Sequence, residues 1–211
     1  MNAIILDHPV IKHKLTILRD KNTGTKEFRE LVSEISMFLL YESLKDIKLD
    51  EKEIETPLCS VKGEIINENR LAFIPILRAG TGMLDGLIRV IPNAKIGHIG
   101  LYRNEETLKP VKYFYKVPKD VRNRIVYVLD PMLATGGSAI DAITMIKEDA
   151  KNDAMKIKFL CIIAAPEGIK AVEERFPDVQ IYAAALDDHL NENGYIVPGL
   201  GDAGDRIFGT K

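Results

Sequence analysis

The chain of 211 residues contains no tryptophan and only two cysteines. Cys59 and Cys161 lie far apart, and neither has a CxxC partner or a histidine at ligand spacing. A cysteine-based metal site therefore has no material to form from. Their apolar neighbours predict buried free thiols, in keeping with a reducing cytoplasm. Charge of one sign is missing as well: the net charge is -2 with 28% charged residues, which gives no global pull toward nucleic acid or a membrane surface. No window approaches the run of about 18 apolar residues that a membrane span needs. The opening "MNAIILDHPVIKHK" carries an acid and histidines within its short apolar patch, unlike a secretory leader. There is no low-complexity linker and no internal repeat. What remains is an ordinary globular composition, 46% hydrophobic, at a length that suits one domain with a large core.

In "TKEFRELVSEISMFLLYESL", Phe28, Leu31, Val32, Ile35, Phe38 and Leu39 recur at helical spacing, with Thr25 as the expected N-cap. Residues 45–70 are charged and irregular and read as a hairpin. From Leu71 the pattern changes. "LAFIPIL", "AKIGHIGLY", "RIVYVLD", "IKFLCIIAA" and "VQIYAAAL" are strand candidates, with helices expected after the first and at Ala139–Asp149 and Pro166–Arg175. Apolar strands alternating with helices predict an α/β fold, a mostly parallel central sheet flanked by helices. Such sheets bind ligands beyond the C-terminal ends of their strands. Arg78, Arg103, Asp130, Asp187 and Asp188 all follow or end these strands, so one edge of the sheet collects the charge.

"VLDPMLATGGSAID" raises the sharpest question, because a buried strand stops at Asp130 and a flexible, hydroxyl-rich loop leads into a helix. Glycines ahead of a helix start expose backbone N–H groups to an anion, and the helix dipole adds to the attraction. The Walker A pattern needs Lys after its last glycine, and here Ser138 follows Gly137. GxGxxG does occur, from Gly199 to Gly204, but no strand immediately precedes it and only seven residues follow, too few for a βαβ unit. Asp130 narrows the ligand. A carboxylate repels phosphate alone but accepts hydrogen bonds from the hydroxyls of a sugar phosphate.

This segment resembles the phosphoribosyl-pyrophosphate (PRPP) loop of the type I phosphoribosyltransferases. The usual pair of adjacent acids is here Asp130-Pro131, the form found in the uracil phosphoribosyltransferases. "KHKLTILRD", "PILRAGTGM", "YRNEET", "AAPEGI" and "GYIVPGLGDAGDRIFGT" are similar to that family in the same order. The resemblance implies a type I phosphoribosyltransferase fold in a single domain 1–211. Its core would cover about residues 68–185, and a small base-binding hood would be built from 186–211 with N-terminal elements. It implies transfer of the 5-phosphoribosyl group of PRPP to uracil, giving UMP and pyrophosphate, with Mg²⁺ carried mainly by PRPP and no protein metal ligand.

By the same resemblance, PRPP is held by Arg78, Ala79, Gly80, Arg103, the loop Asp130, Pro131, Met132, Leu133, Ala134, Thr135, Gly136, Gly137 and Ser138, and Asp202. Uracil is held by Tyr195, Ile196, Gly201, Asp202 and Ala203. Arg103 and Asp202 are the expected catalytic residues, Asp202 as a candidate acceptor of the uracil proton. A non-proline cis peptide is expected at Arg78–Ala79. Tyr102, Tyr113 and Tyr115 sit around a hairpin arm, "VKYFYKVP", of the kind that packs against a second subunit, so a homo-oligomer, dimer or tetramer, is expected. Some members respond to GTP or CTP, which makes either a candidate effector. His98 reads as a sheet residue, and no histidine is needed as a base. Two rivals remain: a phosphoribosyltransferase for another nucleobase, and a regulatory RNA-binding protein that keeps the PRPP fold.

Overall fold

The computed structural model describes residues 3–103 and 110–210. The first part runs β1 (Ala3–Ile5), α1 (Pro9–Arg19), α2 (Thr25–Ser43), β2 (Leu49–Glu55), β3 (Ser60–Ile66), β4 (Leu71–Leu77), α3 (Thr81–Val90), β5 (Lys95–Ile96), β6 (His98–Arg103) and β7 (Pro110–Lys116). The second runs β8 (Ile125–Leu129), β9 (Met132–Leu133), α4 (Gly137–Ala150), β10 (Ile157–Ala164), α5 (Pro166–Arg175), β11 (Gln180–Leu186), β12 (His189–Leu190), β13 (Ile196–Val197) and α6 (Ala203–Phe208). The main sheet has the order β1-β11-β10-β8-β4-β6-β7, with β5 beside β4 and β9 beside β10. All pairs are parallel except β6 with β7. The expected α/β architecture is present.

The unbroken apolar runs of the central strands follow from burial on both faces. Side chains alternate across a strand, so Leu71 and Phe73 join a core beneath α1, α2, α3 and α6, while Ala72, Ile74 and Ile76 join a second core beneath α4 and α5. In β10, Leu160 and Ile162 face the first core, and Ile157, Phe159 and Cys161 the second. The helical stripe read from Phe28 to Leu39 lies in the first core. Each such buried Leu or Phe contributes about 1.5–3 kcal/mol.

Several expectations are corrected. The N-cap of α2 is Gly24, and Thr25 is the first helical residue, its side chain lying against Gly209. "AKIGHIGLY" is broken at Gly97, where a Cβ would sit 2.9 Å from the Lys116 carbonyl oxygen; the two pieces are β5 and β6. The predicted hairpin of 45–70 is β2 paired antiparallel with β3. Cys59 lies in its turn and is exposed, because a two-stranded ribbon has no inside; Cys161 is buried as expected. The opening stretch forms β1 and α1, with Pro9 at the helix start and His8 Nδ1 accepting from the Val10 amide at 3.2 Å. Among the described residues, no helix is long and apolar enough to cross a membrane.

Candidate active site

Asp130 follows the last residue of β8 at the C-terminal edge of the sheet. The loop after it is not slack. The Pro131 carbonyl accepts from the amides of Ile162 (2.9 Å) and Ile163 (3.1 Å), and Leu133 accepts from Ala165 (2.9 Å). Residues 132–133 thus pair with β10 as β9. Flexibility expected from composition is removed by this strand pairing. Gly136 caps α4 at φ +83°, a conformation that disfavours a side chain. Gly137 and Ser138 already belong to α4, two residues earlier than predicted. The Gly137 amide donates to Thr135 Oγ1 at 3.4 Å.

The glycine of the family-like segment "AAPEGI", given no role from the sequence, packs this loop. Gly168 sits in α5, where a Cβ would lie 2.4 Å from the Ala134 oxygen and 2.7 Å from that of Leu133. The helix can approach the loop only without a side chain there. An isolated glycine inside "PEGIKAV", an otherwise helical pattern, is the signal that could have found it.

Arg78 leaves the end of β4. The cis peptide is Leu77–Arg78, one bond before the expected Arg78–Ala79; in the turn that follows, the Gly80 amide returns to the Ile76 oxygen at 2.9 Å. A Cβ on Gly80 would stand 2.3 Å from the oxygen of Leu129, the neighbour of Asp130. The two loops are therefore packed backbone to backbone. The exposed Arg78 side chain lies 3.8 Å from Asp205 and over the Phe208 ring. Arg103 ends β6 at the same edge; its side chain, with Glu105 and Glu106, lies outside the described residues.

The C-terminal segment packs against the loop that carries Arg78. The hypothetical Cβ of Gly204 is 4.0 Å from that of Ala79, and that of Gly82 is 2.9 Å from Ile207. Ile196 and Ala203 are buried, while Tyr195, Gly201 and Asp202 are exposed. The last three border a cavity of about 580 Å³ closed on its other side by residues 21–25. Asp202 caps α6, its carboxylate accepting from the Asp205 amide at 2.9 Å. A short strand, β13, does precede the GxGxxG segment, but it pairs antiparallel with β12 outside the main sheet, so no dinucleotide fold is formed.

Sequence reasoning missed how this segment is fixed. Arg206 donates to the carbonyls of Leu200 (2.9 Å) and Asp20 (2.5 Å) and stacks 4.3 Å from the Phe28 ring centroid. Asp187, read as part of an open charged edge, is instead buried against Arg19. Burial pushes the Asp130 carboxyl up to about 7, opposed in part by the Met132 amide. Burial, with the Asp130 charge nearby, pushes the Cys161 thiol well up, so this cysteine is unreactive packing.

A mostly parallel sheet whose C-terminal edge combines a glycine-started helix, the acid Asp130 and an arginine loop has the layout of a type I phosphoribosyltransferase. The family model for uracil phosphoribosyltransferase matches residues 5–210. The chain is 60% identical over 209 residues to a uracil phosphoribosyltransferase of Clostridium botulinum, covering 99% of each. It is also 60% identical over 207 residues to one of Geobacillus kaustophilus, covering 98% of each. The solved AQ2163 protein of Aquifex aeolicus superposes with a TM-score of 0.91 at 44% identity, covering 98% of this chain and 97% of that one. The chain belongs to the uracil phosphoribosyltransferase family.

Proposed function

We propose that the enzyme joins uracil to the ribose of PRPP, forming UMP and releasing pyrophosphate, with the residues named from its sequence in the roles expected of them. The observation that carries this is the meeting of three segments at one sheet edge: Gly80 packed on Leu129 beside Asp130, and Gly204 packed on Ala79. The amides and hydroxyls of 135–138 hold the 5-phosphate, and Asp130 accepts from the ribose hydroxyls. Arg78 and Arg103 hold the pyrophosphate, with Ala79 and Gly80 allowing close backbone approach.

Uracil lies against Tyr195, Ile196 and 201–203. Its two carbonyls and one imide N–H are matched by backbone groups. A cytosine amino group would face a backbone donor and leave buried polar atoms unpaired, which discriminates strongly. The bond from C1′ to the pyrophosphate oxygen breaks, leaving oxocarbenium character on the ribose. Uracil N1 forms the new bond, and its proton passes to Asp202. Charge building on the leaving pyrophosphate is stabilised by the arginines and loop amides. Among the described residues no group of three His, Cys, Asp or Glu side chains could hold a metal ion. Mg²⁺ would arrive with PRPP and would supply neutralisation of the charge building on the leaving pyrophosphate.

The domain reads as a core of about 68–185 with a hood of 186–211 resting on α1 and α2. The β6–β7 arm, with Tyr102, Tyr113 and Phe114 exposed, suits a subunit contact in a cytoplasmic homo-oligomer. Light scattering with and without GTP or CTP tests assembly and effector response together. The activity is tested by following pyrophosphate release from PRPP with uracil, cytosine or hypoxanthine. Release with uracil alone is expected, and no product with uracil sinks the proposal.

A further inference from the structure

Backbone groups can read a base only if something else fixes the backbone. In this chain the fixing groups come from a part of the sequence that the reaction does not use. Asp187, just past β11, is 5% exposed, and Arg19, the last residue of α1, meets it through both nitrogens of its fork. Nη1 donates to Oδ2 at 2.7 Å and Nη2 to Oδ1 at 2.5 Å. Both members then turn to the same residue. Arg19 Nη1 donates to the Gly199 carbonyl at 2.7 Å, and the Gly199 amide donates to Asp187 Oδ2 at 2.9 Å.

An ion pair that holds the N–H and the C=O of one residue fixes the peptide planes on both sides of it. Gly199 lies at φ +66°, and a Cβ there would be 2.1 Å from the Ile196 oxygen. The turn is thus closed directly onto Ile196, and Leu200 and Gly201 follow at once. We infer that Arg19 and Asp187 are positioning residues for uracil. They touch no reacting atom and set base affinity by holding Gly199, and through it the backbone of 196 and 201. This rests on the proposed reading of 195–203 as the base segment. Only arginine has the planar fork that this arrangement requires. Lysine could make one of these contacts but not hold the pair and the carbonyl together.

Losing one partner would leave a buried charge alone and destabilise the fold whatever the role of the pair. The decisive variant therefore removes both charges, Arg19→Met with Asp187→Leu, since an apolar pair can replace a buried ion pair without loss of stability. Arg19→Lys, which retains the charge, serves as the second variant and decides alone if the double variant does not fold. The expected result is a rise of about 10- to 100-fold in KM for uracil, with KM for PRPP within about 3-fold of wild type. A folded variant with unchanged KM for uracil, or with both KM values raised alike, overturns the inference. Wild type run beside them keeps the two ideas apart: if wild type does not use uracil, the proposed function fails; if it does and the variants match it, only the positioning role fails.

Discussion

Residues 130–138 and 195–203 are held by different means. The first segment is anchored by neighbouring strands and a helix: Pro131 and Leu133 pair with β10, and Gly168 lets α5 rest on Ala134. The second has no place in the main sheet. Groups from α1, the turn after it and α2 hold it: the Arg19 side chain on the Gly199 carbonyl, and the Asp20 carbonyl and Phe28 ring on Arg206, which in turn donates to Leu200. Phosphate binding needs a row of amides, which a strand-to-helix turn supplies by itself. Base reading needs a backbone shape that no regular element provides, so distant side chains must impose it.

The largest test of this contrast changes chemistry on the acceptor side without touching its anchors. Asp202→Asn keeps a good helix cap but cannot take a proton. Turnover should fall by about 10²- to 10⁴-fold, far more than the affinity for PRPP, while the melting temperature stays near wild type. Equal turnover would reject Asp202 as the proton acceptor.

Gly168→Val attacks the donor side through packing. Its side chain would overlap the Ala134 and Leu133 oxygens and push α5 away from the loop. PRPP affinity should drop by about 100-fold, with a loss of about 1–3 kcal/mol in stability, and KM for uracil should hardly move. If both substrates weaken together in steady-state kinetics, the two segments are not anchored independently.

The smallest effect sharpens the comparison by titration. Asp130 is pushed up to about 7, so the folded chain holds this proton more tightly than the unfolded one, whose carboxyl titrates near about 4. The contribution of this group to stability is therefore present below pH 4 and lost as pH rises toward 7. Donor binding runs the other way, since ribose hydroxyls need the ionised form. PRPP affinity should fall by up to about tenfold per pH unit below 7. Asp130→Asn should remove that part of the slope, leaving the titration of the donor itself. Calorimetry on wild type and variant between pH 5 and 8 would reveal it; parallel slopes would mean that Asp130 does not accept from the donor.

The same contrast explains what could be read from the sequence. The strands of the sheet and the loop from Asp130 to Ser138 are contiguous, and their order of residue types carries the physics of strand end, acid and helix start. Arg19 and Asp187 lie 168 residues apart, and Arg206 reaches the Asp20 carbonyl across 186; no local pattern ties either pair together. Asp187 even misled, since an acid at a strand end looks like a ligand until its partner is seen. Gly168 and Cys59 were legible one at a time but not in context. The first needed the loop it packs against, and the second needed the knowledge that its hairpin is a free-standing ribbon.

Those long separations also bear on the order in which the molecule assembles. Loop-closure entropy grows only logarithmically, so joining groups 168 or 186 residues apart costs about 1–2 kcal/mol more than joining groups a few tens apart. The equilibrium penalty is small, but the delay is not, because contacts distant in sequence form slowly. As the chain folds, β8, β9, β10 and α5 can build the donor loop from residues near one another. On the proposed roles, the acceptor half is the part expected to close last, once Arg206 reaches the turn after α1.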